Sequence, residues 1–320
     1  MTPADRPLTV IALGGNAIAS AKGRGTLNEQ RIAIAESSAQ IAAIIADGHR
    51  AVLTHGNGPQ VGALLLQQEL SSDDVPPMPL DVCVAMTQGQ IGYLFQQALS
   101  QALVERGISQ PVASVVTQVV VDPSDPAFEN PTKPIGSFYT ESEAARLDDP
   151  PDFVIRNVGQ GKRPYRRVVP SPQPLEIVEG ASIRALVEDD QLVIACGGGG
   201  VPVIRRDGRS EGIEAVIDKD LATERLASSL NAETLLILTD VDHAALRYGT
   251  ADQQDLHEIS LEQARSYLAA GEFPAGSMGP KIQAAIQFLE NGGERVVITS
   301  LGRAREALAG KAGTSVTDAS

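Results

Sequence analysis

Two stretches decide the fold: LTVIALGGN at residues 8–16 and RAVLTHGNG at residues 50–58. In each, six residues of mainly apolar character run directly into a glycine turn that carries an asparagine. Apolar runs of this length are typical of strands buried on both faces of a sheet. Three further runs, at residues 192–196, 235–239 and 295–299, end at Gly, Asp or Ser and predict additional strands.

Longer segments of helical character separate these strands. They cover residues 29–47, 81–106, 221–230, 261–270 and 280–290. Gly48 follows the first of them in the position of a C′ glycine, and Pro280 stands at the predicted first position of the last. Alternating strands and helices predict an α/β fold whose mainly parallel sheet is covered on both faces, with ligands at the carboxyl ends of the strands.

Residues 121–174 interrupt this alternation, because ten prolines fall within them. Proline at that density excludes a regular helix or a central strand from much of the segment. Aromatic residues are also present there, so we interpret it as an inserted subdomain or lid; they are Phe138, Tyr139, Phe153 and Tyr165. The predicted domains are an N-terminal lobe at 1–190, which contains this insert, and a C-terminal lobe at 191–320.

Composition excludes several classes of protein. The chain has 320 residues, 42% of them hydrophobic, and a net charge of −14, so it lacks the basic field of a general nucleic-acid or anionic-membrane binder. Its two cysteines, Cys83 and Cys196, form no Cys-x-x-Cys pair and are expected to be buried small residues. Residues 1–7 are too short and polar for a signal sequence, and no apolar run reaches the roughly 18 residues of a membrane span. We expect a cytoplasmic protein.

Familiar catalytic motifs are missing. Neither Gly-Lys pair is followed by Ser or Thr as a P-loop requires, and the Gly-x-Gly stretches at Gly56 and Gly197 lack the third glycine of a dinucleotide fingerprint. Four histidines without metal-ligand spacing argue against a metallohydrolase. His55, which ends a strand beside the glycines, is expected to hydrogen-bond the loop rather than to act in catalysis.

The glycine turns are candidate anion sites. Glycine permits the close backbone approach that turns main-chain N–H groups into an anion-binding nest. Ordinary strand-to-helix turns are the alternative for any single pair. Two such turns in the first lobe, Gly14-Gly15-Asn16 and Gly56-Asn57-Gly58, favour the anion site, and residues 197–200 supply a third turn in the second lobe.

Three lysines occupy unusual positions. Lys281 and Lys219 fall in the first turns of predicted helices, where a cation opposes the helix dipole unless an anion such as phosphate is bound. For Lys219, neutralisation by the aspartates on either side of it is the alternative. Lys133 lies between two prolines that fix its backbone, and a surface lysine in a rigid loop explains that segment equally well.

Eight stretches, in order along nearly the whole chain, resemble the amino-acid kinase superfamily and, within it, the carbamate kinases. They are ALGGNAI (12–18), THGNGPQVG (54–62), NPTKPIG (130–136), RRVVPSP (166–172), CGGGGVPV (196–203), EAVIDKDLA (214–222), LTDVD (238–242) and GSMGPKI (276–282). NPTKPIG and the proline-rich insert favour the carbamate kinases over the acetylglutamate and aspartate kinases.

This resemblance implies a three-layer αβα sandwich with a mainly parallel central sheet and a small protruding subdomain, assembled as a homodimer. The implied activity is that of an ATP-dependent phosphotransferase with a carboxyl acceptor: ATP and carbamate give ADP and carbamoyl phosphate, reversibly and with Mg²⁺. Family members often use the reverse reaction to make ATP in arginine catabolism. No metal ligand is implied among the protein side chains, since Mg²⁺ would be bound through the phosphates of ATP.

The resemblance also implies roles for individual residues. Carbamate and the transferring phosphoryl group would be held by Gly14, Gly15, Asn16, Gly56, Asn57 and Gly58. The catalytic set would be Lys133, Lys219, Asp220 and Lys281, in which Lys133 reaches over the site and Asp220 orients the other lysines. The nucleotide would contact Lys219, Thr239, Asp240, Val241, Gly276, Met278 and Lys281.

Three alternatives stay open at this point. Another small-acid kinase, such as acetylglutamate kinase, would have a roomier acceptor pocket. A ligand sensor with the same fold need not keep all four residues of the catalytic set. An enzyme used for carbamoyl phosphate synthesis would have the same sequence features, because direction depends on metabolite levels.

Overall fold

The structure is a computed structural model that describes residues 6–18, 25–147, 154–159, 161–274 and 276–318. Its strands are β1 (Leu8–Leu13), β2 (Arg50–His55), β3 (Val112–Ser114), β4 (Gln118–Val120), β5 (Lys133–Tyr139), β6 (Val154–Asn157), β7 (Tyr165–Val169), β8 (Glu176–Ile177), β9 (Leu192–Ile194), β10 (Val201–Arg206), β11 (Arg209–Gly212), β12 (Thr234–Thr239), β13 (Ala245–Leu246), β14 (Gln254–Asp255), β15 (Glu258–Ser260), β16 (Arg295–Ser300) and β17 (Thr314–Thr317). Its α-helices are α1 (Leu27–Ala46), α2 (Gly58–Leu70), α3 (Leu80–Val104), α4 (Glu141–Leu147), α5 (Gly180–Glu188), α6 (Lys219–Ser229), α7 (Leu261–Ala269), α8 (Met278–Glu290) and α9 (Ala304–Leu308).

A mainly parallel sheet of eight strands forms the centre, in the order β15-β17-β16-β12-β1-β2-β9-β3. All neighbours are parallel except β16 and β17, so the two strands at one edge run against the others. The five strands predicted from apolar runs are β1, β2, β9, β12 and β16, and they lie side by side. The predicted α/β fold with a mainly parallel sheet is confirmed.

Helices cover both faces of this sheet and complete three layers. Val10 and Ala12 of β1 point into a core shared with α5, α6, α7 and α8, whereas Ile11 and Leu13 point into a second core with α1, α3 and α9. Successive side chains of a strand point to opposite faces, which is why the whole run must be apolar. One sheet crosses both predicted lobes, since β9 lies between β2 and β3; the division at residue 190 stays a prediction.

The five predicted helices are present with small shifts at their ends. Gly48, at φ +100°, follows α1 as predicted. The prediction that Pro280 opens α8 is wrong, because the helix begins at Met278 and Pro280 lies further into the first turn. The short α9 and the 13-residue α2, which begins at a glycine turn, were not predicted.

The insert at residues 121–174 is more regular than its prolines predict. It contains α4 and an antiparallel sheet in the order β5-β7-β6. Most prolines fall between these elements, and Pro134 lies on the edge strand β5, where a missing N–H is tolerated. Phe153 lies outside the described residues. In the part of the chain that the structure describes, no helix is long and apolar enough to cross a membrane.

Candidate active site

A cleft of about 730 Å³ opens where the first two glycine turns meet. Leu13 and His55, the last residues of β1 and β2, are paired in register, so the turns that follow them lie side by side. The backbone N–H of Gly56 donates to the carbonyl oxygen of Leu13 over 3.2 Å. The starts of α2, α6 and α8 and the strand β5 from the insert complete the cleft walls.

Two lysines converge on one buried carboxylate in this cleft. Nζ of Lys219 lies 2.6 Å from Oδ1 of Asp220, and Nζ of Lys281 lies 2.9 Å from Oδ2. Only 3% of the Asp220 side chain is exposed. Burial opposes its ionisation, but the two ammonium charges and their hydrogen bonds together outweigh burial and lower the pKa of Asp220 to about 2. An ionised carboxylate therefore holds both lysines in place.

The flanking aspartates of Lys219 have different partners. Asp220 pairs with Lys219, as expected if a flanking aspartate neutralises this lysine. Asp218 instead accepts a hydrogen bond from Nζ of Lys133 at 2.8 Å, while its other oxygen caps α6 by accepting from the backbone N–H of Asp220. Lys133, the first residue of β5, thus reaches from the insert to the start of α6, across 85 residues of sequence. It is not a free surface lysine.

Among the glycines of the two first-lobe turns, Gly14 makes the closest approach to a neighbouring group. A Cβ on Gly14 would lie 2.9 Å from the carbonyl oxygen of Leu238, and one on Gly56 would lie 3.6 Å from Cδ of Lys219. Gly15, Gly56 and Gly58 line the cleft, together with Asn57. The side chain of Asn16 lies outside the described residues. Close packing therefore requires a glycine at position 14, whereas Gly15, Gly56 and Gly58 have room for a Cβ, and the binding roles of these residues stay predictions.

His55 is buried behind the second glycine turn and hydrogen-bonds it. Its Nδ1 donates to the carbonyl oxygen of Gly56 at 2.8 Å, and its ring stacks on Phe95. Burial lowers the pKa of His55 to about 4, against the smaller opposing effect of that hydrogen bond, so the imidazole is neutral at pH 7. The prediction that this histidine hydrogen-bonds the loop is confirmed.

The third glycine turn, at residues 197–199 and Gly200, packs under the first-lobe turns. A Cβ on Gly197 would lie 2.5 Å from the His55 ring, and one on Gly198 would lie 2.2 Å from Nδ2 of Asn57. Asn57 in turn donates from Nδ2 to the hydroxyl of Thr87 at 2.9 Å. This turn is buried, and its glycines leave the space that the side chains of His55 and Asn57 occupy.

The predicted nucleotide residues gather at a neighbouring cavity of about 220 Å³. Thr239, Asp240, Val241 and Met278 all line it, and so does Tyr248. Lys281 and Ser277 line both this cavity and the cleft, which places the lysine at their junction. Lys219 and Gly276, the two remaining predicted nucleotide residues, line the cleft instead.

Arg166 lines the cleft and was not predicted as a site residue. Its guanidinium carbon lies 4.7 Å from the centre of the Phe138 ring, and Nη2 donates to the carbonyl oxygen of Gly136 at 3.0 Å. Its Nε has no hydrogen-bond partner among the described residues. The basic cluster 163–167 was visible in the sequence, but only the pairing of β5 with β7 turns Arg166 towards the cleft.

Comparison with known proteins agrees with this geometry. Residues 7–300 match the model of the amino acid kinase family. The carbamate kinase of Pyrococcus horikoshii is 51% identical over 311 residues, which cover 96% of this chain and 98% of that protein. Carbamate kinase 1 of Enterococcus faecium is 48% identical over 294 residues, covering 91% and 93%.

A solved structure of the carbamate kinase from Giardia lamblia bound to AMP-PNP superposes with a TM-score of 0.92 at 45% identity. The match covers 98% of this chain and 99% of that one. Sequence and architecture therefore agree over almost the full length of each protein. The chain belongs to the amino acid kinase family and, within it, to the carbamate kinases.

Proposed function

We propose that this protein transfers a phosphoryl group reversibly between ATP and carbamate, giving ADP and carbamoyl phosphate. The observation that carries this proposal is the Lys219–Asp220–Lys281 triad, which lines the cleft and whose Lys281 also lines the smaller cavity. The triad has a net charge of +1 and its lysine side chains are 17% and 12% exposed, so its position is fixed before a ligand arrives.

The chemistry asks the protein for position and charge rather than for a base. Carbamate is already an anionic nucleophile, so no proton has to be removed before it attacks the γ-phosphorus of ATP. The difficulty is to bring two anions together and to stabilise charge on the moving oxygens. Lys219 and Lys281 supply fixed positive charge there, and Asp220 keeps them from moving apart. His55, neutral and buried, is not needed as a general base.

The two ligands would occupy the two cavities. Carbamate would bind beside Gly15, Gly56 and Gly58, where backbone groups can approach closely. The nucleotide base and sugar would bind in the cavity of Thr239 and Met278, so that its phosphates pass Lys281 into the cleft. Lys133 and Arg166 would then face the transferring group from the side of the insert.

Mg²⁺ would enter with the nucleotide phosphates. No group of three or more His, Cys, Asp or Glu side chains that could hold a metal exists among the described residues. Both carboxylate oxygens of Asp220 are already occupied by lysines. This donor set fits Mg²⁺ bound mainly through phosphate oxygens and water, as nucleotide-bound Mg²⁺ often is. When bound, Mg²⁺ neutralises part of the phosphate charge.

The direct test supplies ADP, Mg²⁺ and carbamoyl phosphate to the purified protein and measures ATP. Carbamate and ATP in excess should give ADP in the opposite direction. We expect Lys219→Ala and Lys281→Ala each to lower kcat by on the order of 10²-fold, the scale of losing one stabiliser of transition-state charge. ATP-dependent activity on acetylglutamate with none on carbamoyl phosphate would overturn the proposal, as would near wild-type turnover of both variants.

We also propose that the protein is a homodimer that buries an apolar stripe on α3. Val82, Met86 and Tyr93 are 37%, 46% and 55% exposed and fall on one face of that helix. Leu70 of the adjacent α2 is 79% exposed. Met86→Arg should shift the mass in light scattering from dimer to monomer, whereas Leu175→Arg, at a 52% exposed residue outside α2 and α3, should not. A wild-type protein that is monomeric at micromolar concentration would contradict this.

A further inference from the structure

A second basic cavity lies over the edge of the main sheet, where β15, β17 and β16 meet. Its volume is about 260 Å³. It is lined by two imidazoles, three basic side chains and one carboxylate, namely His243, His257, Arg295, Arg303, Lys311 and Glu258. In a chain with a net charge of −14, such a concentration of cationic and imidazole side chains requires an explanation.

The two arginines have structural partners. Arg295 donates from Nε to the hydroxyl of Ser315 at 2.9 Å, and its other nitrogens donate to the carbonyl oxygens of Leu308 and Ala307. Arg303 donates to Oε2 of Glu306 at 3.0 Å. Arg295 therefore connects the end of α9 to β17. Because both arginines already have hydrogen-bond partners within the protein, they form the wall of the cavity and are not its main donors to a ligand.

The remaining donors have no acceptor in the described part of the chain. No hydrogen bond reaches the ring nitrogens of His243 or His257, and none reaches Nζ of Lys311. The two rings meet edge to face with their centres 4.6 Å apart, which holds both imidazoles in position. These three groups present N–H donors to a cavity that is large enough for a small solute.

We propose that this cavity is a second anion site, separate from the catalytic cleft, which binds the phosphate or sulfate group of a small solute. Lys311 would supply a full positive charge, and the imidazoles would donate hydrogen bonds to the oxygens of the anion. The carboxylate of Glu258 repels an anion from one side of the cavity. An anion would therefore have to accept hydrogen bonds from several of the donors at once in order to bind. The site lies next to the cavity proposed for the nucleotide, because His243 lines both.

The four histidines of the chain allow the site to be tested in the intact protein without nucleotide. Sulfate is titrated into the isotopically labelled protein, and the imidazole signals are followed by nuclear magnetic resonance. His257 lines the second cavity alone and reports it, whereas His55 reports the cleft through its hydrogen bond to the cleft residue Gly56. His49, hydrogen-bonded to Thr9 at 3.2 Å, serves as a reference. A second titration uses inorganic phosphate in place of sulfate. Both are tetrahedral oxyanions, but only phosphate changes its protonation state near neutral pH, so shifts common to both report recognition of the tetrahedral oxyanion itself.

We expect saturable shifts at His257 and His243 whose dissociation constant differs from that of any shift at His55. Lys311→Gln should weaken sulfate binding at His257 by about tenfold, because a hydrogen bond to a charged group is lost. Lys162→Gln makes the same charge change on the exposed insert and should leave the binding unchanged. Absence of a saturable shift at His257, or equal weakening by both variants, would overturn the proposal.

Discussion

Asp220→Asn is the most informative single change, since it removes one charge and keeps the size of the side chain. In the wild type, Asp220 has a pKa of about 2 instead of the ordinary 3.8. Each pKa unit corresponds to about 1.4 kcal/mol, so the ionised form contributes about 2 kcal/mol to the free energy of unfolding. Asparagine lacks this charge, and the ammonium groups of Lys219 and Lys281 lose the partner that holds them.

The sign of the pH dependence follows from the lowered pKa. A carboxyl group whose pKa is lower in the folded than in the unfolded protein stabilises the fold above pH 3.8, and this contribution is lost as the pH falls towards 2. The free energy of unfolding of the wild type should therefore be about 2 kcal/mol larger than that of Asp220→Asn at every pH between about 5 and 8. Urea unfolding followed by circular dichroism measures this difference.

Activity provides the second measurement. We expect Asp220→Asn to lower ATP formation from carbamoyl phosphate by on the order of 10²-fold, because the fixed positions of both lysines are lost. Asp47→Asn is the matched control. Asp47 pairs with Arg305 at 2.7 Å but its side chain is 43% exposed, so its loss should cost less than about 1 kcal/mol. If Asp220→Asn were as stable and as active as the wild type, the triad would not act as a fixed unit.

Three further predictions follow from other parts of the site. The pKa of His55 is about 4 in the fold instead of 6.5, so its stabilising effect is present above pH 6.5 and lost as the pH falls through 4. In His55→Gln, the free energy of unfolding measured with urea should change with pH by up to about 3 kcal/mol less than in the wild type. An unchanged pH dependence of that free energy would contradict this prediction. Gly198→Ala should cost at least about 2 kcal/mol, since φ is +67° and the new Cβ would meet Asn57, whereas Gly302→Ala, in open space, should cost much less by the same measurement. Lys133→Ala should lower kcat for ATP formation roughly tenfold or more, and turnover equal to that of the control Lys162→Ala would refute a role for its ammonium.

Patterns that depend on a few neighbouring residues were predictable from the sequence. The apolar runs that became β1, β2, β9, β12 and β16 had to be buried on both faces, and that requirement alone implies a covered, mainly parallel sheet. The positions of Lys219 and Lys281 in first helical turns also indicated an anion site. A cation in such a position needs a nearby negative charge, whichever fold surrounds it.

Tertiary structure alone decided which negative charge each lysine meets and which residues share a cavity. Asp220 lies 61 residues from Lys281, and Asp218 lies 85 residues from Lys133, so neither pair is visible in a local pattern. The register of β5 against β7 brings Arg166 to the cleft, and the packing of Gly198 against Asn57 makes the third glycine turn a support for the first-lobe loop. The residue types that carry the charge can be identified along the chain, but their partners depend on distances that only the folded chain determines.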